Sequence, residues 1–106
     1  MRVATPIALI LMAQIGFTPA AMAEEVDPAK AAQCDALGGV VDQLVALRQE
    51  GKRENRAIRI LTGKKSEVEE GLRPAVQFLS GWVYSLTEDE LTFEPGAKYA
   101  ETCKTQ

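Results

Sequence analysis

Histidine is absent from all 106 residues. With it go the commonest general base near neutral pH, every Ser-His or Cys-His nucleophile pair, and the commonest metal ligand. Cysteine is scarce, with two in the chain, Cys34 and Cys103. Two thiols without histidine do not make a closed four-ligand zinc set, and they stand too far apart in sequence for a CxxC redox pair. Asparagine occurs once, and Asn55 is followed by Arg56 and Ala57, so there is no N-glycosylation sequon. Long apolar runs are missing too. The run from Ile7 to Phe17 would rise only about 16 Å as a helix, well short of the roughly 30 Å hydrocarbon core. No internal repeat and no low-complexity segment is visible.

That short run sits in an export signal. Arg2 supplies a positive start, Thr18 and Pro19 end the apolar stretch, and Ala21-Met22-Ala23 is the small-x-small pattern that a signal peptidase accepts. Residues 1–23 therefore read as a cleaved signal peptide and 24–106 as a single domain. Cleavage puts Glu24 rather than a cysteine at the new start, which disfavours a lipid anchor, and the mature chain is expected to carry no stable membrane anchor. Removing 23 residues from 106 leaves 83, enough for one modest core in the size range where exported proteins add a covalent staple. Export favours oxidation, and two thiols allow a single intramolecular pairing, Cys34 with Cys103. An intermolecular disulfide or two free thiols are the alternatives. The compartment reads as periplasmic or secreted.

Cleavage takes Arg2 away and leaves 11 basic against 15 acidic residues, a net charge of −4 that argues against a nucleic-acid partner. The distribution says more than the sum. Residues 24–47 hold one base and five acids, 48–65 hold seven bases and two acids, and 66–106 hold three bases and eight acids.

Helical signals follow one another along the mature chain. Asp27 before Pro28 is an N-cap followed by a ring suited to the first turn, and Cys34, Leu37, Val41 and Leu44 recur at steps of three and four. Val40 and Leu47 widen that stripe, and Gly51 stands where a C-terminal cap belongs, which predicts a helix over 28–50. Gly38 and Gly39 each cost about 1 kcal/mol inside a helix relative to alanine. With Ala32 and Ala36 they either make a small-residue surface for close helix packing or mark a kink.

A shorter helix is expected from Lys52 to Thr62, with Ala57, Ile58 and Leu61 on one side, Arg53, Arg56 and Arg59 on another, and Gly63 as its end. Ser66 and Glu69 have the spacing of a capping box, in a stretch that Gly71 and Pro74 keep short and that reads as the loosest of the domain. Pro74 is expected to open a third helix whose buried face is Leu79, Trp82, Val83 and Leu86. Thr87 and Glu90 form a second capping box, Leu91 and Phe93 are apolar anchors, and Pro95 opens a last helix with Tyr99 and Cys103 one turn apart. The fold class is all-α: a small bundle of three to four helices with one disulfide.

Little here supports a reaction. "GKKS" at Gly63 to Ser66 lacks the Ser or Thr directly after its lysine and the earlier glycine that a phosphate-binding loop needs, since those positions hold Lys65 and Ile58. Glu69-Glu70 and Glu88-Asp89-Glu90 are carboxylates at helix starts, where negative charge favours the helix dipole. No enzymatic activity and no cofactor or metal is expected. The positive candidate is the basic block Arg48, Lys52, Arg53, Arg56, Arg59, Lys64 and Lys65. It is either a solvated helix side answering the acidic flanks or a cationic face for an anionic partner. Trp82 falls on the apolar stripe and is expected in the core, whereas Tyr84 falls off it and joins the candidate interaction face.

The residues Cys34, Val41, Arg48, Trp82-Val83-Tyr84-Ser85-Leu86, Leu91 and Cys103 resemble a group of small exported proteobacterial proteins of unknown activity. In that group a signal peptide precedes a helical domain framed by two cysteines. The resemblance implies architecture and compartment. In outline the chain is also similar to the HdeA type of periplasmic acid-stress chaperone, which is small, helical and joined by one disulfide, and to helical periplasmic immunity proteins.

Two functional expectations follow. One is a non-enzymatic exported protein that binds an unidentified, acidic protein partner through the basic block or an apolar surface. The other is an acid-responsive chaperone, since 15 carboxylates would lose charge near pH 4.

Overall fold

The computed structural model describes residues 26–106, so the expected signal peptide and its cleavage point lie outside the described residues. Among the described residues all regular structure is helical. In chain order it comprises α1 (Pro28–Gln49), α2 (Glu54–Thr62), a 3-10 turn (Glu70–Leu72), α3 (Arg73–Ser85), α4 (Glu88–Leu91) and α5 (Pro95–Lys104). The expected all-α class with one disulfide is what the chain adopts.

Local chemistry sets most of the boundaries. The Asp27 carboxylate accepts the Lys30 N–H at 3.1 Å and caps α1. At the other end Gly51 takes φ +90°. Its N–H donates to the Arg48 carbonyl at 2.9 Å and the Lys52 N–H to the Leu47 carbonyl at 3.0 Å, the paired bonds of a Schellman motif. Thr87 and Glu90 exchange both bonds of a capping box at the start of α4. The second helix begins at Glu54 rather than Lys52, because Lys52 is spent on closing α1. Pro74 is the second residue of α3 rather than the first.

Two expectations for the connecting segments fail. Ser66 and Glu69 form no capping box; the Ser66 hydroxyl accepts the Val68 N–H two residues on, at 2.9 Å. Within the 66–74 segment Val68 is buried in the core and the Arg73 Nε donates to its carbonyl at 3.1 Å. Phe93 is no anchor: it is 61% exposed, while Leu91 alone of that pair is buried.

The core joins Val40, Val41 and Leu44 of α1, Ala57 and Leu61 of α2, and Val76, Leu79 and Val83 of α3, with Val68 closing it. On α3 the buried set is Val76, Leu79, Ser80 and Val83, so the face is turned from the expected one and Trp82 is not core. Its place is taken by Ser80, a buried hydroxyl 2.9 Å from both the Glu54 carboxylate of α2 and the Gln77 carbonyl. A polar residue on the inner face is what apolar spacing cannot register.

Helix α5 packs along α1. The Cys34 and Cys103 α-carbons lie 5.6 Å apart and the sulfurs are bonded. A β-carbon added at Gly38 would stand 2.7 Å from the Gly96 carbonyl oxygen and 3.0 Å from the Ala100 β-carbon. The small-residue contact is thus Gly38 on Gly96 and Ala100. Ala32 and Ala36 are exposed, Gly39 meets nothing within 4 Å, and α1 runs on as one helix. The Asp42 carboxylate sits directly against Gly96 in the first turn of α5, where an anion is favoured by the helix dipole.

Candidate functional site

The basic block divides in two. Arg48, in the last turn of α1, faces inward: its Nη1 donates to the Val83 carbonyl at 2.7 Å, its Nη2 lies 3.7 Å from Glu88, and its guanidinium stands 5.9 Å from the centre of the Tyr84 ring. That ring packs against the core, and the Tyr84 hydroxyl donates to the Lys52 carbonyl at 2.7 Å. Burial pushes the Tyr84 hydroxyl above its ordinary pKa of 10.0, opposed by the Arg48 charge and reinforced by Glu54. Arg48 and Tyr84 are therefore fasteners between α1, α3 and the α1–α2 turn, and neither belongs to an exposed contact face.

The remaining cations face outward. Arg53 is the N-cap of α2, with no side-chain capping bond, and Arg56 and Arg59 follow on the helix; all three are exposed. Ala57 and Leu61 occupy the inner face of the same helix, and their burial fixes the arginines outside. Lys52, Arg53, Asn55, Arg56 and Arg59, with Gly51, line one open depression. Among the described residues, the only Lys or Arg side chains within 4.0 Å of an Asp or Glu carboxylate are Arg48 with Glu88 and Lys104 with Asp35. The cations of the depression thus have no carboxylate within 4.0 Å among the described residues. Lys64 and Lys65 stand apart from it, exposed on the turn after α2. What this surface can do chemically is bind negative charge through several guanidinium forks.

A second surface was missed by reading the apolar stripe as core. Trp82 is 37% exposed and packs a tilted ring against Tyr99 of α5, with centroids 6.0 Å apart. With Leu86, Phe93 and Pro95 it forms an open apolar depression edged by Glu90 and Lys98. Phe78, one turn earlier on α3, is 74% exposed. The signal was present in the sequence: Phe78, Gly81, Trp82 and Ser85 also recur at steps of three and four, on the side opposite Ser80.

The bonded cysteines place the domain in an oxidising, exported setting. Among the described residues no helix is long and apolar enough to cross a membrane, and no three His, Cys, Asp or Glu side chains gather as metal ligands. No protein-family model matches the chain, and no curated protein or solved structure is significantly similar to it.

Proposed function

We propose that this is a non-enzymatic binding protein, released to the periplasm or secreted after cleavage at Ala23, which engages an acidic protein surface through the depression at the start of α2. The observation that carries this reading is that Lys52, Arg53, Arg56 and Arg59 converge on one surface with no carboxylate within 4.0 Å of any of them among the described residues. Like charges held together cost free energy that an anionic partner relieves. Lys64 and Lys65 extend the field toward the other end of α2 without lining the depression. The test is in-cell crosslinking of the tagged exported protein beside its Arg53→Gln, Arg56→Gln, Arg59→Gln variant. Partners retained equally by the variant would overturn the assignment.

The acid-response alternative draws on the exposed aromatics Phe78, Trp82 and Phe93 as a surface for unfolded clients. Against it, few carboxylate pairings hold this fold together, so acid has little to break. A protein that remains monomeric at pH 3 and leaves a denaturing client to precipitate ends that reading.

A further inference from the structure

We infer that the acidic surface recognised by the α2 face is one on a second copy of this chain, so that the protein self-associates head to tail; this rests on the reading that the α2 face binds an acidic protein. The donor side is Arg53, Arg56 and Ile60, at i, i+3 and i+7 on α2, with Arg59 beside them. Ile60 is one of the few large apolar side chains left exposed, at 37%. The receiving side is the depression formed by Trp82, Leu86, Phe93 and Pro95. Of the charged side chains that line it, Glu90 is acidic and Lys98 basic, and the chain on either side of Glu90, along α4 and the turn after it, adds Glu88, Asp89 and Glu94 with no base before Lys98. An apolar anchor among arginines thus meets an aromatic depression beside the acidic run of α4. Buried aromatic and apolar anchors supply most of the energy of such contacts, and opposite rim charges supply orientation and rate.

One molecule cannot join these surfaces to each other. On α3, Ser80 faces α2 through Glu54 and Tyr84 faces the α1–α2 turn through Lys52, whereas Trp82 faces α5 through Tyr99. The α2 patch and the aromatic depression therefore lie to different sides of α3, and only a second copy brings them together. Because the patches differ, the contact is heterologous and propagates into short chains or a ring rather than stopping at a symmetric pair.

Sedimentation velocity of the oxidised exported protein tests this. The mean mass should rise with concentration at low salt and fall toward the monomer at about 0.5 M salt, where rim charges are screened. Two variants change exposed residues only, none of them in an ion pair of the domain: Arg56→Glu with Arg59→Glu, and Asp89→Lys with Glu94→Lys. Each alone should be monomeric with an unchanged circular dichroism spectrum. Their mixture should associate, because each supplies the face that the other has lost. Phe93→Ser should weaken association of the otherwise unaltered protein roughly tenfold. A chain that is monomeric at low salt at every concentration, or a mixture that stays monomeric, overturns the proposal. If that monomer still crosslinks to a different acidic protein in an arginine-dependent way, the broader reading of the α2 face survives; if it does not, both are lost.

Discussion

Helices α1, α2 and α3 close on a continuous core of Val40, Val41, Leu44, Leu61, Val76, Leu79 and Val83, whereas α5 buries only Pro95, Gly96 and Ala100. Full burial of a valine or leucine side chain is worth about 1.5–3 kcal/mol, and α5 contributes none. What attaches it instead is the disulfide, the close approach of Gly38 to Gly96, the Trp82–Tyr99 ring contact and the exposed Lys104–Asp35 pair. The covalent bond therefore lies along the seam where apolar burial is poorest. A domain of this size gains most from a staple at the element that its core reaches only through the half-buried Tyr99.

Removing the bond is the strongest way to break this contrast. In the chain-entropy picture, closing a loop of 69 positions stabilises by about 4 kcal/mol, and Cys34→Ala with Cys103→Ala should lose an amount of that order. The loss should begin locally. Hydrogen exchange should speed up first at Ala100, with Trp82 fluorescence changing as Tyr99 withdraws, while Leu44 and Val83 keep more of their protection. Equal acceleration in all three places would show that the halves are one cooperative unit. Leu79→Ala, on the other side of the comparison, should cost about 3 kcal/mol. Urea unfolding should then show α5 departing together with the rest, because the disulfide still ties α5 to an α1 that has lost its core.

Adjacent glycines sharpen the same contrast at single-atom scale. Gly38 and Gly39 are both inside α1, where alanine is preferred by about 1 kcal/mol. At Gly38 the added β-carbon meets the backbone carbonyl of Gly96 at 2.7 Å, which cannot swing aside as a side chain would. Gly38→Ala should therefore push α5 off and destabilise by about 1–3 kcal/mol, the usual cost of overpacking. Gly39→Ala meets nothing within 4 Å and should stabilise by about 1 kcal/mol. Thermal unfolding of the two variants should move in opposite directions.

How much of this was legible in the sequence depended on whether the signal was local. The Asp27 cap, the Gly51 stop and the Thr87–Glu90 box each need only a few neighbouring residues, and each forms as expected. The single disulfide followed from the cysteine count. Ser66 shows the limit of such motifs, because burial of Val68 fixes a path on which its hydroxyl caps a turn rather than a helix. On α3, two faces carry the same periodicity, and choosing between them requires knowing that the Ser80 hydroxyl finds Glu54 across 26 positions. That choice decides whether Trp82 is core or surface, and so whether the aromatic depression exists. Arg48 and Tyr84 were misassigned for the same reason: their partners, Val83 and Lys52, are distant in sequence. The outward cations Arg53, Arg56 and Arg59 were legible because Ala57 and Leu61 already fix which side of α2 is buried.

The smallest effect concerns the polar fastening inside the apolar half. Tyr84→Phe leaves the ring against the core and removes the hydroxyl that donates to the Lys52 carbonyl, at a cost of about 1 kcal/mol near neutral pH. The same substitution isolates a pH dependence. Because burial raises the folded-state pKa above 10.0, the neutral hydroxyl is favoured in the native state and its contribution is complete below that value. Above it the unfolded chain ionises first, and the contribution is lost as pH rises through the folded value. The gap in urea midpoint between the parent and Tyr84→Phe should therefore be constant from pH 7 to about 9 and narrow beyond about 10. Tyr99 is common to both proteins and cancels from the difference. A gap that stays constant into the alkaline range would mean that Tyr84 gains nothing from burial in its neutral form, and the polar fastening would reduce to the Arg48 bond to Val83 alone.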